Sequence, residues 1–209
     1  MALGQWYNAA AVSMVTKVFW NPSLIVPSTT VRTIADIDWR ELQLNSKTQY
    51  ILFDKDNTLT APYVDTLHPK VVASFKECLK VYQKNNVAIF SNSAGTKDDV
   101  DFKWKKQIEE EIGIQVIIHD EKKPKGFQSV VDHFTHNIAI GANEKRESIK
   151  AESIAVVGDR LLTDVLFGNL HGAYTVHCDT ILSAKGDNPL AFYVRRFENN
   201  VLSPLLRKR

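Results

Sequence analysis

The stretch YILFDKDNT, residues 50–58, decides the fold, because it joins a short apolar run to a group of polar side chains. Tyr50 to Phe53 are all apolar, which is typical of a strand that is buried on both faces. The run ends at Asp54, and a second carboxylate, Asp56, follows two positions later. This pattern predicts a buried strand that ends in a functional site.

Similar short apolar runs recur along the chain, at VAIF 87–90, VII 116–118, IAVV 154–157 and YTV 174–176. Segments with the spacing of helices lie between them, at 69–85, 98–113, 127–135 and 164–170. The polar stretch 137–152 is predicted to be a loop. Strands that alternate with helices predict an α/β fold, a Rossmann-like parallel sheet with helices on both faces.

The composition is that of an ordinary globular protein. Hydrophobic residues make up 44% and charged residues 24% of the 209 residues, enough for one domain of common size. The net charge of +2 gives no indication of a nucleic-acid partner, and no apolar run approaches the roughly 18 residues of a membrane-spanning helix. Two cysteines, Cys78 and Cys178, cannot build a disulfide framework and favour a reducing compartment.

Residues 1–35 contain no Asp or Glu, which sets them apart as an N-terminal segment ahead of a main domain at 36–209. Their spacing predicts an amphipathic helix from about Gln5 to Trp20, before Asn21-Pro22. This helix would be about 24 Å long, shorter than the roughly 30 Å of a bilayer core, so it fits a membrane interface better than a span. A helix packed on its own domain and a removable targeting peptide remain alternatives.

Polar side chains follow four of the predicted strands at their carboxyl ends, where open parallel sheets bind ligands. They are DKDNT at 54–58, SNS at 91–93, Lys123, and GDRLLTD at 158–164. Asp54 and Asp159 would repel each other in one cleft, so a divalent cation is needed to hold them together. Oxygen ligands select a hard ion, and we expect Mg²⁺.

The first strand end suits phosphoryl transfer. Asp54 can attack phosphorus as a nucleophile and form an aspartyl-phosphate. Asp56 can protonate the leaving oxygen and later activate water. Its backbone carbonyl can also contact the metal, so the predicted metal residues are Asp54, Asp56 and Asp159.

The other strand ends are expected to bind the phosphoryl oxygens. Ser91 and the amides near Asn92 would hold these oxygens, and Lys123 would offset the charge on them in the transition state. Asp164 is expected to orient Lys123 rather than to bind the metal directly.

Arg160 and His119 are candidates for further contacts with the substrate. Arg160 follows the metal-binding Asp159, where it can reach a second phosphate or cap a helix. His119 follows the third strand, where it can face the cleft. Trp39 and Trp104 are expected to pack rather than to form binding platforms.

Four segments resemble, in order, the motifs of haloacid-dehalogenase-type phosphatases: DKDNT at 54–58, SNSAG at 91–95, KKP at 122–124 and GDRLLTD at 158–164. Together with NPSL at 21–24 and VP at 26–27, they are similar to the mitochondrial phosphatidylglycerophosphate phosphatases of cardiolipin synthesis. The resemblance implies a haloacid-dehalogenase-like core, in which a second Asp, here Asp56, goes with phosphomonoester hydrolysis. It also implies a third-motif lysine directly before a proline, which favours Lys123, with Lys125 as the alternative.

The resemblance further implies a Mg²⁺-dependent enzyme that makes phosphatidylglycerol, peripheral on the matrix side of the mitochondrial inner membrane. The spacing supports a large substrate independently. Asp56 and Ser91 are 35 positions apart, and Ser91 and Lys123 are 32 apart, so neither gap holds a large cap domain. An open site of this kind can meet the headgroup of a phospholipid in a membrane.

The expected partners are the phospholipid substrate and an anionic membrane surface. The N-terminal helix would contact this surface, and so could the basic C-terminal residues, Arg195, Arg196, Arg207, Lys208 and Arg209. A solvated basic tail without a membrane role is the alternative, and the sequence does not predict the oligomeric state.

Other functions fit the sequence less well. An EF-hand that starts at Asp54 needs Gly at its sixth position and Glu at its twelfth, where the chain has Leu59 and Asp65. A receiver domain takes its acidic pair upstream of the phosphorylated Asp, whereas Asp159 lies far downstream. Two alternatives stay open: a soluble phosphatase acting on a protein or sugar phosphate, and a non-catalytic lipid-binding module, against which the intact Asp54 and Asp56 argue.

Overall fold

The computed structural model describes residues 17–139, 148–180, 182, 183 and 198, with residues 138 and 139 described by their backbone only. The strands of this part are β1 (Thr29–Val31), β2 (Tyr50–Phe53), β3 (Val87–Ile89), β4 (Gln115–Val116), β5 (Ile154–Gly158) and β6 (Tyr174–Cys178). The α-helices beyond residue 21 in this part are α1 (Trp39–Ser46), α2 (Val72–Tyr82), α3 (Lys103–Ile112), α4 (Phe127–Ala139) and the single turn α5 (Leu166–Asn169). A π-helical turn, Leu161–Val165, leads into α5.

The strands form one parallel sheet in the order β1-β6-β5-β2-β3-β4. In its middle, Phe53 of β2 pairs with Val157 of β5 and with Ile89 of β3. The N–H of Asp54 continues this register by donating to the Val157 carbonyl at 2.8 Å. Because the strands all run the same way, the residues that follow them meet at one edge, the carboxyl edge.

Side chains alternate along β2, and each face of the sheet carries its own layer of helices. Ile51 and Phe53 belong to the core formed with α1, α2 and α3. Tyr50 and Leu52 belong to the core on the opposite face, formed with α4 and α5. A strand buried on both faces reads as a continuous apolar run, and the predicted α/β fold with helices on both faces is confirmed.

Most predicted helices are present with different ends. α2 is shorter than the predicted 69–85, and α4 is longer than the predicted 127–135, so the predicted loop at 137–152 starts later. Residues 140–147 of that loop lie outside the described residues. α3 ends as predicted at Gly113, which has a φ of 85° and donates its N–H to the Glu109 carbonyl at 2.9 Å.

The sequence does not predict β1 or α1. β1 pairs with β6, with Thr29 opposite Val176. α1 begins after Asp38, whose carboxylate accepts the N–H groups of Arg40 and Glu41, both at 3.0 Å. Since β1 lies within residues 1–35, the folded domain extends upstream of the boundary predicted at residue 36.

Only the last turn of the predicted N-terminal helix falls within the described residues. Residues 17–20 are helical, and the side chains of Phe19 and Trp20 are exposed. Residues 1–16 and the basic residues at 195, 196 and 207–209 lie outside the described part of the chain. Within the described ranges, no helix combines the length and the apolar character that a bilayer crossing requires.

Both cysteines are buried, whereas only one of the two tryptophans that were predicted to pack is buried. Cys78 and Cys178 are buried and unbridged. Trp39 packs edge-on against Phe53 and Tyr82, as predicted for a packing residue. Trp104, on the first turn of α3, is exposed, so the prediction that it packs is wrong.

Candidate active site

The carboxyl edge brings together the residues predicted for the site. Asp54 directly follows β2, and Asp159 directly follows β5. Ser91 lies just beyond β3, and Lys123 lies in the loop between β4 and α4. Asp164 enters from the π-helical turn behind Asp159. Residues that are far apart in the sequence therefore meet because neighbouring parallel strands end side by side.

Lys123 links two of these positions. Its ammonium donates to Asp54 Oδ1 and to Asp164 Oδ1, both at 2.5 Å. The side chains of Lys123 and Asp164 are almost fully buried, whereas that of Asp54 is 15% exposed. Asp54 is thus the member of this trio that a ligand can reach most easily.

Burial and the neighbouring charges both affect the pKa values of Lys123 and Asp54. Burial alone would lower the pKa of Lys123, but the carboxylates of Asp164 and Asp54 outweigh it and raise that pKa. Burial raises the pKa of Asp54, and although Lys123 opposes the effect, the Asp164 carboxylate adds to it. Lys123 therefore stays charged, and ionised Asp54 is favoured by any further positive charge beside it.

Local packing fixes Asp164. Its N–H donates to the Arg160 carbonyl at 2.9 Å, and the N–H of Arg160 donates back to Asp164 Oδ2 at 3.2 Å. A Cβ at Gly158 would meet Asp164 Cγ at 2.3 Å. Glycine at the end of β5 therefore leaves the room that the Asp164 carboxylate needs to reach Lys123.

Three carboxylates converge on one point of the carboxyl edge. Asp54, Asp159 and Asp164 each offer an oxygen, and these oxygens lie within 4.8 Å of one another. Because like charges held this close repel one another, a bound cation would stabilise the group. An all-oxygen donor set fits a hard divalent ion such as Mg²⁺. Asp164, expected only to orient Lys123, is part of this group as well.

Asp56 lies in a different cluster. Its Oδ1 accepts a hydrogen bond from the Lys55 ammonium at 2.9 Å, and Lys55 also pairs with Asp65 at 3.4 Å. Lys55 is buried, whereas the Asp56 side chain is 36% exposed. The Asp56 carboxylate is not part of the three-carboxylate group, and its open position suits proton exchange better than metal binding.

Ser91 and Asn92 shape the loop after β3. Ser91 is buried, and its Oγ accepts the N–H groups of Ser93 at 3.2 Å and Ala94 at 3.4 Å. Asn92 Oδ1 accepts the N–H of Lys123 at 2.8 Å. The Asn92 side chain therefore supports the backbone of Lys123, in addition to any contact that its amide makes with a phosphate.

His119 is a buried support rather than an open cleft residue. Its Nε2 lies 2.8 Å from the Ser91 carbonyl oxygen and its Nδ1 lies 2.7 Å from that of Glu121. The ring stacks on Phe90, with 3.9 Å between the centroids. His119 therefore ties the loop after β3 to the loop after β4. This inward position differs from the predicted one, in which His119 faces the cleft and contacts the substrate.

The structure separates the two candidate lysines and places Arg160 near the site. Lys125 is on the surface and pairs with Glu121 at 3.8 Å, so Lys123 is the lysine beside Asp54. Arg160 lies within electrostatic reach of Asp54 and of Glu198.

Two residues of this region are not predicted from the sequence. Lys55 forms an ion pair with Asp56. Its position between Asp54 and Asp56 in the sequence is the feature from which this role could have been predicted. Glu198 is buried and accepts the N–H groups of Leu161 at 3.2 Å and Leu162 at 3.0 Å, where the turn that carries Asp164 begins. The only feature of the sequence that marks Glu198 is that it is the sole acidic residue among residues 195–209.

Comparisons with known proteins agree on one family. The family model described as mitochondrial PGP phosphatase matches residues 9–182. A chloroplastic/mitochondrial phosphatidylglycerophosphate phosphatase of Arabidopsis thaliana is 36% identical over 99% of this chain, which spans 56% of that relative's length. A mitochondrial phosphatidylglycerophosphatase of Saccharomyces cerevisiae is 31% identical over 92% of this chain and 97% of its own length.

A bacterial protein is also similar. A protein of Bacillus subtilis named a probable phosphatase is 30% identical over 76% of this chain and 78% of its own length. No solved structure matches the chain.

Proposed function

The chain belongs to the mitochondrial PGP phosphatase family, and from this we propose that it hydrolyses the terminal phosphomonoester of phosphatidylglycerophosphate to give phosphatidylglycerol. The observation that carries the proposal is the ion-paired trio of Asp54, Lys123 and Asp164, with Asp159 beside it, at the carboxyl edge. This arrangement offers one reachable carboxylate next to a fixed positive charge, as attack on a phosphate requires.

The reaction would proceed in two steps. An oxygen of Asp54 attacks phosphorus, the bond from phosphorus to the glycerol oxygen breaks, and Asp56 gives its proton to that oxygen. In the second step Asp56 takes a proton from water while the water oxygen attacks phosphorus. The bond between Asp54 and phosphorus then breaks, which releases inorganic phosphate and restores both carboxyl groups.

Lys123 would stabilise the charge that builds up on the phosphoryl oxygens during both steps. Its ammonium is held by Asp164 and its backbone by Asn92, so it needs no rearrangement to act. The Ser91 hydroxyl and the amides that follow it would hold the same oxygens from the side of β3. Arg160 is the candidate for a contact with the second phosphate of the headgroup.

We infer that Asp54, Asp159 and Asp164 would hold Mg²⁺, with the backbone carbonyl of Asp56 as a further donor. The ion would supply positive charge to the attacking carboxylate and to the phosphoryl oxygens. The proposal rests on the donor set, which is all oxygen and brings three carboxylates within 4.8 Å of one another.

The relatives named mitochondrial support a mitochondrial location, and we propose peripheral attachment at the matrix face of the inner membrane. The N-terminal helix would contact anionic lipid there, together with basic tail residues such as Arg207. Residues 54–126, all of which the structure describes, contain no inserted cap domain between the strands. This absence supports the proposal that a large headgroup in a bilayer can approach Asp54.

The test is phosphate release by the full chain from phosphatidylglycerophosphate in detergent micelles. Phosphatidic acid, glycerol 3-phosphate and a phosphopeptide serve as competing substrates, and Asp54→Asn is the inactive control. We expect the fastest release from phosphatidylglycerophosphate and none in excess chelator. Equal efficiency on a soluble ester would establish a soluble phosphatase instead, and no release from any substrate would favour a lipid-binding module.

A further inference from the structure

Apolar side chains are exposed in the segment that joins β3 to α3. Val100 is 69% exposed and Trp104, on the first turn of α3, is 51% exposed, with Phe102 between them at 36%. Because this segment starts at the carboxyl end of β3, it lies at the same edge of the sheet as Asp54. These three residues, Val100, Phe102 and Trp104, are called the apolar patch below.

Hydrogen bonds to Asp99 fix the backbone of the segment that carries the apolar patch. Asp99 is buried and accepts the N–H groups of Gly95 at 3.0 Å and of Trp104 and Lys105, both at 2.9 Å. Asp101 and Phe102 have φ angles of 56° and 52°, a conformation that is strained for residues with a side chain. The backbone is thus fixed in a strained shape that turns apolar groups towards solvent, which packing within the chain does not explain.

The same segment is tied to the loop that carries the catalytic lysine. Asp98 pairs with Lys122 at 2.6 Å, and Lys97 pairs with Asp120 at 3.3 Å. Lys122 directly precedes Lys123 in the chain. The apolar patch therefore lies beside the loop that carries the phosphate-binding lysine, and whatever docks on the patch is brought close to that loop.

The charges and neighbours of the patch indicate its occupant. Lys103 and Lys106 are exposed on the same end of α3, and aromatic side chains interleaved with lysines are typical of segments at a membrane interface. Tyr63 and Val64, in the loop after β2, add exposed apolar groups at the same edge. The exposed Asp101 offsets one of these two lysines, which leaves a net charge of +1 at this end of α3, and such an excess complements a bilayer with anionic headgroups.

We propose that the apolar patch inserts into the interface of an anionic lipid bilayer and so holds the open site against the headgroups. The inference rests on the proposed function, since a substrate that stays in its bilayer must be met at the surface. It adds a second contact to the N-terminal helix, on the side of the site formed by β3 and α3.

The first experiment compares the full chain with Val100→Ser/Phe102→Ser/Trp104→Ser. The probes are phosphatidylcholine vesicles that contain phosphatidylglycerol but no substrate, assayed by flotation. Removal of three apolar contacts should weaken vesicle binding by about tenfold or more. Leu44→Ser, at an exposed apolar position on α1, is the matched control and should bind as the parent does.

A second measurement does not depend on that variant. In Trp6→Phe/Trp20→Phe, the remaining tryptophans are Trp39, which is buried, and Trp104. Phospholipids brominated on their acyl chains should quench the Trp104 fluorescence when the protein is bound. Absence of quenching on vesicles that carry the protein would overturn the proposal, and so would unchanged flotation of the triple variant.

The outcomes separate this inference from the proposed function. The triple variant should keep its rate on phosphatidylglycerophosphate in micelles and lose rate on the same lipid in vesicles. A parent that is active in micelles but shows no effect of the patch on vesicle binding overturns the patch alone. A patch that binds vesicles in a protein with no phosphatase activity overturns the function alone. A triple variant that changes from dimer to monomer would assign the patch to a second copy of the chain and refute bilayer contact.

Discussion

Two buried lysines near the end of β2 are each ion-paired with two carboxylates, but in different surroundings. Lys123 lies between Asp54 and Asp164, at 2.5 Å from each, and Lys55 lies between Asp56 and Asp65, at 2.9 and 3.4 Å. The Lys123 cluster joins three strand ends that are distant in sequence, whereas the Lys55 cluster is built within a dozen residues. Each lysine holds one carboxylate of the DKD motif.

The two clusters differ in how far their carboxylates are exposed to water. Those paired with Lys123 are mostly buried, while those paired with Lys55 are partly open to water. A closed cluster keeps its charges fixed, which suits nucleophilic attack and stabilisation of a transition state. An open cluster lets a carboxyl group exchange protons with a leaving group or with water. We therefore expect substitutions in the Lys123 cluster to have larger effects than those in the Lys55 cluster.

The largest effect is expected from Asp54→Asn, because the amide cannot attack phosphorus. Turnover should fall by about four orders of magnitude or more. Phosphate release measures the loss, and fluorine NMR after treatment with fluoroberyllate should show an adduct in the parent but not in the variant. A folded Asp54→Asn protein that retains turnover would contradict the covalent route.

Lys123→Met should follow, with a fall in kcat of about 10² to 10³. It also leaves Asp54 and Asp164 without their buried partner, which should lower the free energy of unfolding by about 3–5 kcal/mol. The matched control is Lys125→Met, at a surface position two residues along the chain. Similar losses for both variants in kinetics and urea denaturation would show that the buried position has no special role.

The sequence alone predicts which residues meet at the carboxyl ends of the strands. The apolar runs before Asp54, Ser91 and Asp159 identify the carboxyl edge, because parallel strands bring their ends together. The family predicted from the motifs is confirmed. β1 and α1 are missed because Thr29–Val31 is too short to show periodicity and α1 carries only a weak apolar stripe, although Asp38 is a visible capping residue.

Side-chain contacts are what the sequence predicts least well. The position of Asp164 among the metal-binding candidates depends on the room above Gly158, which no spacing rule reveals. His119 is turned inwards by two backbone carbonyls and by Phe90. Glu198 reaches the site from 36 residues away, beyond the range of any local pattern.

The third prediction concerns the cation that would balance the closed cluster. Asp159→Asn removes one of the three converging carboxylates, so the Mg²⁺ concentration for half-maximal rate should rise about 10- to 100-fold. Saturating Mg²⁺ should also raise the melting temperature of the parent, by binding the folded state only. Differential scanning fluorimetry checks this without turnover. Equal stabilisation of parent and variant would place the ion elsewhere, and Glu110→Gln, at an exposed carboxylate of α3, serves as the control.

A smaller effect is expected from Lys55→Met, which leaves Asp56 without its ion pair. Loss of a fixed orientation for the general acid should lower kcat about tenfold with little change in KM. Lys55→Arg retains the charge and should recover most of the rate. A change in KM alone, or no recovery with arginine, would show that Lys55 does not act through Asp56. Lys80→Met, at an exposed lysine of α2, controls for loss of charge.

The smallest effect is expected from Asp65→Asn, which removes the outer carboxylate of the open cluster but keeps the pair between Lys55 and Asp56. The pair at 3.4 Å is longer than the others and partly solvated, so its loss should lower kcat only about threefold and stability by less than about 1 kcal/mol. The corresponding change in the closed cluster, Asp164→Asn, removes a partner of Lys123 that is 2% exposed. Its effect on kcat should be larger by at least about tenfold. If the two variants lose the same rate, then burial does not distinguish the clusters, and the assignment of attack to one and proton transfer to the other loses its physical basis.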